Sequence, residues 1–167
     1  MFEKGEYVVY GSKGVCQIQD ISPVDIPGAD KNRLYYIMRP VQNTRGTVYL
    51  PTDSTKAVIR RVMSREEAHQ LIDEIPQIEQ LQVPDEKRRE ASYKEALMTC
   101  SVRVWVSIIK ALHVRKEERL ALGKKITALD ERYLKAAEQE LYGELSLVLG
   151  LPKDEVASCI QDHIDKK

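Results

Sequence analysis

The sequence predicts a segregated α+β protein: a small five-stranded barrel of SH3 or Tudor type over residues 1–62, then an all-α bundle of about five helices over residues 63–167. Three observations carry this. Short runs rich in Val, Ile, Tyr and Thr fill the chain up to Val62. After Met63 the apolar spacing changes to that of helices. The formal charge is zero overall, yet consecutive blocks 1–62, 63–100, 101–135 and 136–167 stand at +3, −4, +5 and −4.

The strand runs are "EYVVYG", "GVCQIQDI", "RLYYIMRPV", "GTVYLP" and "AVIRRV", each bounded by Gly, Pro, Asn or Asp. Within "RLYYIMR", Leu34, Tyr36 and Met38 fall on one face, and Arg33, Tyr35, Ile37 and Arg39 on the other. A sheet this small is too small for a sandwich; curling into a barrel protects most of its edges.

The first helix opens on a capping box, Ser64 with Glu67, and stops at Pro76. Pro84 and Asp85 open a second, running to about Thr99. The third covers Ser101 to about Leu122, with Val102, Trp105, Ile109 and Leu112 at helical spacing and Gly123 as its stop. Thr127 caps a fourth that ends near Gly150, and Pro152 sits at the first turn of a fifth. The segment "PQIEQLQVP", residues 76–84, is the hinge candidate.

Several function classes drop out. "VVYGSKGVCQI" resembles a phosphate-binding loop, but such a loop must feed a helix N-terminus, and here a strand follows. Gly11 and Gly14 are therefore read as turn residues at positive φ. Cys16, Cys100 and Cys159 are far apart, without a CxxC pair, which fits free thiols in a reducing cytoplasm. His69, His113 and His163 fall on three different helices, without metal-ligand spacing. No serine nucleophile motif is present, and no apolar run nears the ~20 residues of a membrane span. The expectation is a cytoplasmic, non-enzymatic protein with no cofactor, no metal site and no membrane contact.

The order of motifs resembles a known family. "FEKGEYVVYGSKGVCQIQDI", then "YYIM" and "GTVYLP", is similar to the N-terminal half of the CarD/CdnL family of bacterial transcription regulators. "KRREASYKEAL", "IIKALHVRKEERLALGKK" and "YLKAAEQELYGELSLVLG" resemble that family's helical domain. The resemblance implies a Tudor-like RNA-polymerase-interacting domain, shared with the transcription-repair coupling factor, that docks on the polymerase β subunit. It also implies helices that contact promoter DNA through the backbone, largely independently of sequence, and stabilise the open complex. A monomer is expected.

Particular residues then become candidates. "TRGTVYLP" is the edge that could pair with a strand of the polymerase, which nominates Arg45, Thr47, Val48, Tyr49 and Leu50. Thr47 and Tyr49 would face one side, Val48 and Leu50 the other; Arg33 and Arg45 could add a charged rim. For DNA phosphates the candidates are Arg88, Arg89 and Lys94, with Arg115, Lys116, Arg119, Lys124 and Lys125 in the basic block.

One departure stands out. Many family members carry a tryptophan just before an "RRYK"-like segment, placed as a wedge at the edge of melted DNA. The corresponding "VPDEKRREASYK" has none; Trp105 has the spacing of a core residue, and Tyr93 is the nearest substitute. Two alternatives stay open: a protein-interaction adaptor without DNA contact, and an RNA-binding small barrel.

Overall fold

The computed structural model describes residues 1–42 and 46–165. It comprises two compact units, Met1–Val62 and Met63–Lys167.

In the first unit, β1 (Tyr7–Tyr10), β2 (Gly14–Ser22), β3 (Tyr35–Pro40), β4 (Val48–Pro51) and β5 (Ile59–Arg61) form one antiparallel sheet. The order is β4-β3-β2-β1-β5. The opening glycine stretch turns a corner: Gly11–Lys13 form a single 3₁₀ turn that leads straight into β2, with Gly11 and Gly14 at φ 41° and 72°. Alternation along the strands gathers Val8, Cys16, Ile18, Tyr36, Met38 and Leu50 into one core. Leu34 is left out of that core because it precedes β3, and it is exposed.

The expected barrel is corrected in one respect. The sheet is open, because β4 pairs only with β3, β5 pairs only with β1, and these two end strands do not bond to each other. Both are short, four and three residues, so the sheet curls without closing.

The second unit holds α1 (Arg65–Glu74), α2 (Arg89–Leu97), α3 (Val102–Ala121), α4 (Ala128–Leu149) and α5 (Lys153–Ile164). The caps explain the boundaries. Ser64 and Glu67 form the reciprocal capping box of α1, and the hydroxyls of Ser101 and Thr127 accept from Val104 and Asp130 N–H. Gly150, at φ 66°, ends α4 in the left-handed conformation. Pro152 is the N-cap of α5 rather than a first-turn residue. A 3₁₀ turn, Glu86–Arg88, leads into α2.

The core of this unit lies along the first part of α3, where Trp105, Val106, Ile108, Ile109, Ala111 and Leu112 are buried. Trp105 is fully enclosed and its indole N–H donates to the Leu97 carbonyl (3.1 Å), the core role its spacing indicated. Beyond Leu112 no residue of α3 is fully buried, although His113, Arg115 and Arg119 are half-buried. At the start of the unit, buried Glu144 accepts the Met63 N–H at 2.9 Å. No described helix is long and apolar enough to cross a membrane.

Candidate functional site

The first candidate surface is the free side of β4. The Thr52 N–H donates to the Leu34 carbonyl (3.0 Å), which makes Leu34 and Thr52 a hydrogen-bonded pair just beyond the Tyr35↔Pro51 register. Bonded and non-bonded pairs alternate in an antiparallel ladder. Leu50 and Val48 therefore bond to Tyr36 and Met38, whereas the Tyr49 N–H and C=O point away from β3. Thr47 lies one residue before the paired register, where continued alternation would turn its N–H outward as well. Pro51 also faces outward but has no N–H, so it supplies only an acceptor.

Side chains follow the same division. Thr47 is exposed and Tyr49 is 39% exposed, while Leu50 is buried in the core with Val48 packed against it. Leu50 and Val48 thus anchor the strand, and Thr47 and Tyr49 present it. Arg45 lies outside the described residues. Arg33 is committed to Asp53 (Nη2–Oδ1, 2.5 Å), and that hydrogen bond holds the Asp53 carboxyl below its ordinary range.

The second candidate surface is the basic part of the helical unit, and here the predicted residues divide into two kinds. Arg115, Arg89 and Arg119 are structural. Asp130, in the first turn of α4, is fully buried and receives the Arg115 Nε at 2.8 Å and the Tyr93 hydroxyl at 3.0 Å. Arg89 donates to the Tyr93 oxygen (2.7 Å) and to both Glu86 oxygens; its bonds to Glu86 raise the guanidinium pKa further and hold the Glu86 carboxyl low. Burial pushes the Tyr93 phenol upward. Arg119 donates its Nε to the Lys125 carbonyl at 2.7 Å and so ties the α3–α4 turn.

Arg88, Lys94, Lys116, Lys124 and Lys125 form the other kind. All five are exposed and, among the described residues, carry no side-chain hydrogen bond or ion pair. Tyr93, the candidate substitute for the family's wedge tryptophan, is fully buried and cannot reach a base without unfolding α2.

Sequence reasoning missed Asp130 as the acceptor that organises α2, α3 and α4. The one local signal available was the Thr127-to-Asp130 spacing of the α4 cap. It also missed the attachment of residues 76–84 to α3. The Leu81 N–H donates to the Ser107 carbonyl (3.0 Å), and Lys110 Nζ reaches the Ile75 and Ile78 carbonyls at 2.7 and 2.6 Å. No group of three or more His, Cys, Asp or Glu that could hold a metal occurs among the described residues.

Comparison with known proteins adds the family. No curated protein matches the chain. Residues 2–63 match the family described as the CarD-like/TRCF RID domain, whose members are RNA-polymerase-interacting domains. That span takes in all five strands, the glycine turn and the free β4 edge. The N-terminal unit is thus similar to the CarD-like/TRCF RID domain, and the match ends at the boundary of that unit.

Proposed function

We propose that this protein is a non-enzymatic transcription regulator. Its N-terminal unit docks on the RNA polymerase β subunit by adding the β4 edge to a strand of the polymerase. Its helical unit contacts promoter DNA through exposed cations and stabilises the open complex. The observation that carries the reading is the outward-facing Tyr49 backbone, with exposed Thr47 just before it, on an end strand that among the described residues pairs only with β3, in a sheet that matches the RID family. Strand addition supplies affinity through main-chain hydrogen bonds, and the flanking Tyr49 side chain supplies selectivity.

The test is binding of the full chain to a purified β-subunit lobe fragment, with Thr47→Pro as the comparison. Proline removes one outward N–H and leaves the β3-facing bonds of Val48 and Leu50 in place. Folded Thr47→Pro is expected to bind at least tenfold more weakly, the weight of about 1.4 kcal/mol. Equal binding by the two would refute edge pairing.

A second reading, an adaptor without DNA contact, is favoured by one observation: Arg89, Arg115 and Arg119 are already occupied within the fold. It predicts that the full chain shows no salt-dependent affinity for a duplex.

A further inference from the structure

We propose that the free β4 edge also pairs with the β4 edge of a second copy of this chain, so that the unengaged protein forms a weak twofold dimer that hides its own docking strand. The inference rests on the edge-docking reading above and adds the regulation of that same edge. Self-pairing and polymerase pairing use the same backbone groups and exclude each other.

Three observations point to a second copy. First, the two end strands are protected unequally. The Gly11 N–H donates to the Val58 carbonyl (2.9 Å) and the Val62 N–H to the Tyr7 carbonyl (3.4 Å), so alternation turns the Ile59 and Arg61 backbones of β5 outward. There Arg60 Nη1 donates to the Arg61 carbonyl at 3.1 Å, and the Arg61 guanidinium pairs with Glu6 at 3.3 Å. A short strand carrying cations is a blunted edge. β4 has no such protection: no described side chain caps its outward Tyr49 backbone. Only its last residue is engaged, the Pro51 carbonyl accepting the Ser54 N–H at 3.1 Å.

Second, the edge is complementary to itself. With continued alternation, Thr47 and Tyr49 both turn their N–H and C=O outward. In an antiparallel pairing with the twofold axis at Val48, Thr47 lies opposite the partner's Tyr49, and Tyr49 opposite the partner's Thr47. Each of these two pairs exchanges two hydrogen bonds, so all the outward groups of Thr47 and Tyr49 are satisfied. Pro51, which lacks an N–H, falls outside them. The Val48 and Leu50 side chains keep their places in the core.

Third, charge permits it. Residues 46–51, "GTVYLP", carry no charge, so the axis sets no like charges opposite one another. The same operation on β5 would bring Arg60 and Arg61 against their own copies.

The dimer is weak by construction. Two four-residue strands make a small contact, well short of the roughly 1,200–2,000 Å² of a stable interface. It therefore forms at high protein concentration and yields the strand to a polymerase surface that makes further contacts.

The test is sedimentation velocity of the full chain across a range of concentrations, repeated with Thr47→Pro, with Tyr49→Lys, and with the β-subunit lobe fragment added. Wild type is expected to shift from monomer to dimer as concentration rises. Thr47→Pro removes one donor from each copy, and Tyr49→Lys gives β4 the kind of cation that protects β5. Each should self-associate at least tenfold more weakly, and Tyr49→Lys, at an exposed side chain, should melt with wild type. Added fragment should convert the dimer into a one-to-one complex.

A wild type that stays monomeric at millimolar concentration refutes self-pairing, and fragment binding would then leave the docking reading standing. Dimers that both variants retain place the interface elsewhere and overturn the inference. So does a fragment that binds the dimer without separating it, because the docking edge is then not the one the copies share. If wild type dimerises, both variants do not, and the fragment binds neither, self-pairing stands and the docking reading fails.

Discussion

Arg115→Ala separates a structural cation from a DNA-contacting one. Among the described residues Arg115 is the one cationic donor to Asp130, a carboxylate with no exposed surface; its other side-chain donor there is the neutral Tyr93 hydroxyl. Removing one partner of a buried pair typically costs about 3–5 kcal/mol, because the other charge is left desolvated. The Arg115 side chain is itself 26% exposed, which places the effect near the lower end, at about 3 kcal/mol. For a unit of about 100 residues that lowers the melting temperature by roughly 10–20 °C.

Thermal and urea unfolding followed by far-UV circular dichroism measure this directly, with Lys116→Ala as the neighbouring control. Lys116 is exposed and, among the described residues, makes no ion pair, so its loss should change stability by less than about 0.5 kcal/mol. Arg115→Ala/Asp130→Asn should recover part of the loss, because an amide costs less to bury than an unpaired carboxylate. If Arg115→Ala melts alongside Lys116→Ala, the buried-pair reasoning is wrong and Arg115 is available to phosphates after all. Charge reversal at Arg115, the obvious way to probe DNA binding from sequence, would set a carboxylate against Asp130 and report on folding instead.

Tyr93→Phe removes the hydroxyl shared by Asp130 and Arg89, with an expected loss of about 1–3 kcal/mol in urea unfolding; an unchanged midpoint would show that the network is not coupled. Ser64→Ala removes the α1 capping box and should cost about 1 kcal/mol, seen first as faster amide exchange in the opening turn of α1. Burial pushes the His113 imidazole below its ordinary value against the opposing pull of Glu138, Glu117 and Asp165, with Lys116 adding to the depression. The folded state then binds fewer protons than the unfolded state just below about pH 6.5, so stability present above that pH falls as the solution is acidified. His113→Asn should flatten that fall, as read from melting temperatures between neutral and mildly acidic pH.

Elements with a local cause were legible. The strands announced themselves through β-branched alternation. Three of the five helices, α1, α3 and α4, begin at caps that join residues three apart: Ser64 and Glu67, Ser101 and Val104, Thr127 and Asp130. Trp105 could be assigned to the core because helical spacing alone placed it beside Ile109 and Leu112. What was not legible is long-range. The open sheet depends on whether β4 meets β5, which no stretch of either strand encodes. Arg115 and Asp130 are fifteen residues apart, and Tyr93 and Asp130 thirty-seven. Their convergence follows from how three helices pack. The Lys110 bridge to the Ile75 and Ile78 carbonyls is equally remote.

That convergence sorts the basic block by chemistry. A guanidinium is planar, always charged and weakly hydrated, so it can lie partly buried against Asp130 or Glu86, or bridge to a carbonyl, and donate along more than one direction. An ammonium is strongly hydrated and costs more to enclose, so it tends to stay outside. Three of the four arginines nominated for DNA are accordingly bonded within the fold, and the four nominated lysines are all exposed. Lysine without bidentate geometry meets phosphate as a point charge, which suits a contact that ignores sequence. Only Arg88, Lys94, Lys116, Lys124 and Lys125 remain of the eight residues the sequence nominated. At roughly 0.9 per phosphate, those five allow a log K against log salt slope no steeper than about −4.5, where all eight would give about −7.2. A titration of the full chain with duplex across salt concentrations measures the slope. A value steeper than the five-residue limit would mean that the arginines leave Asp130 and Glu86 to reach DNA, and the internal network would then be a switch rather than a brace.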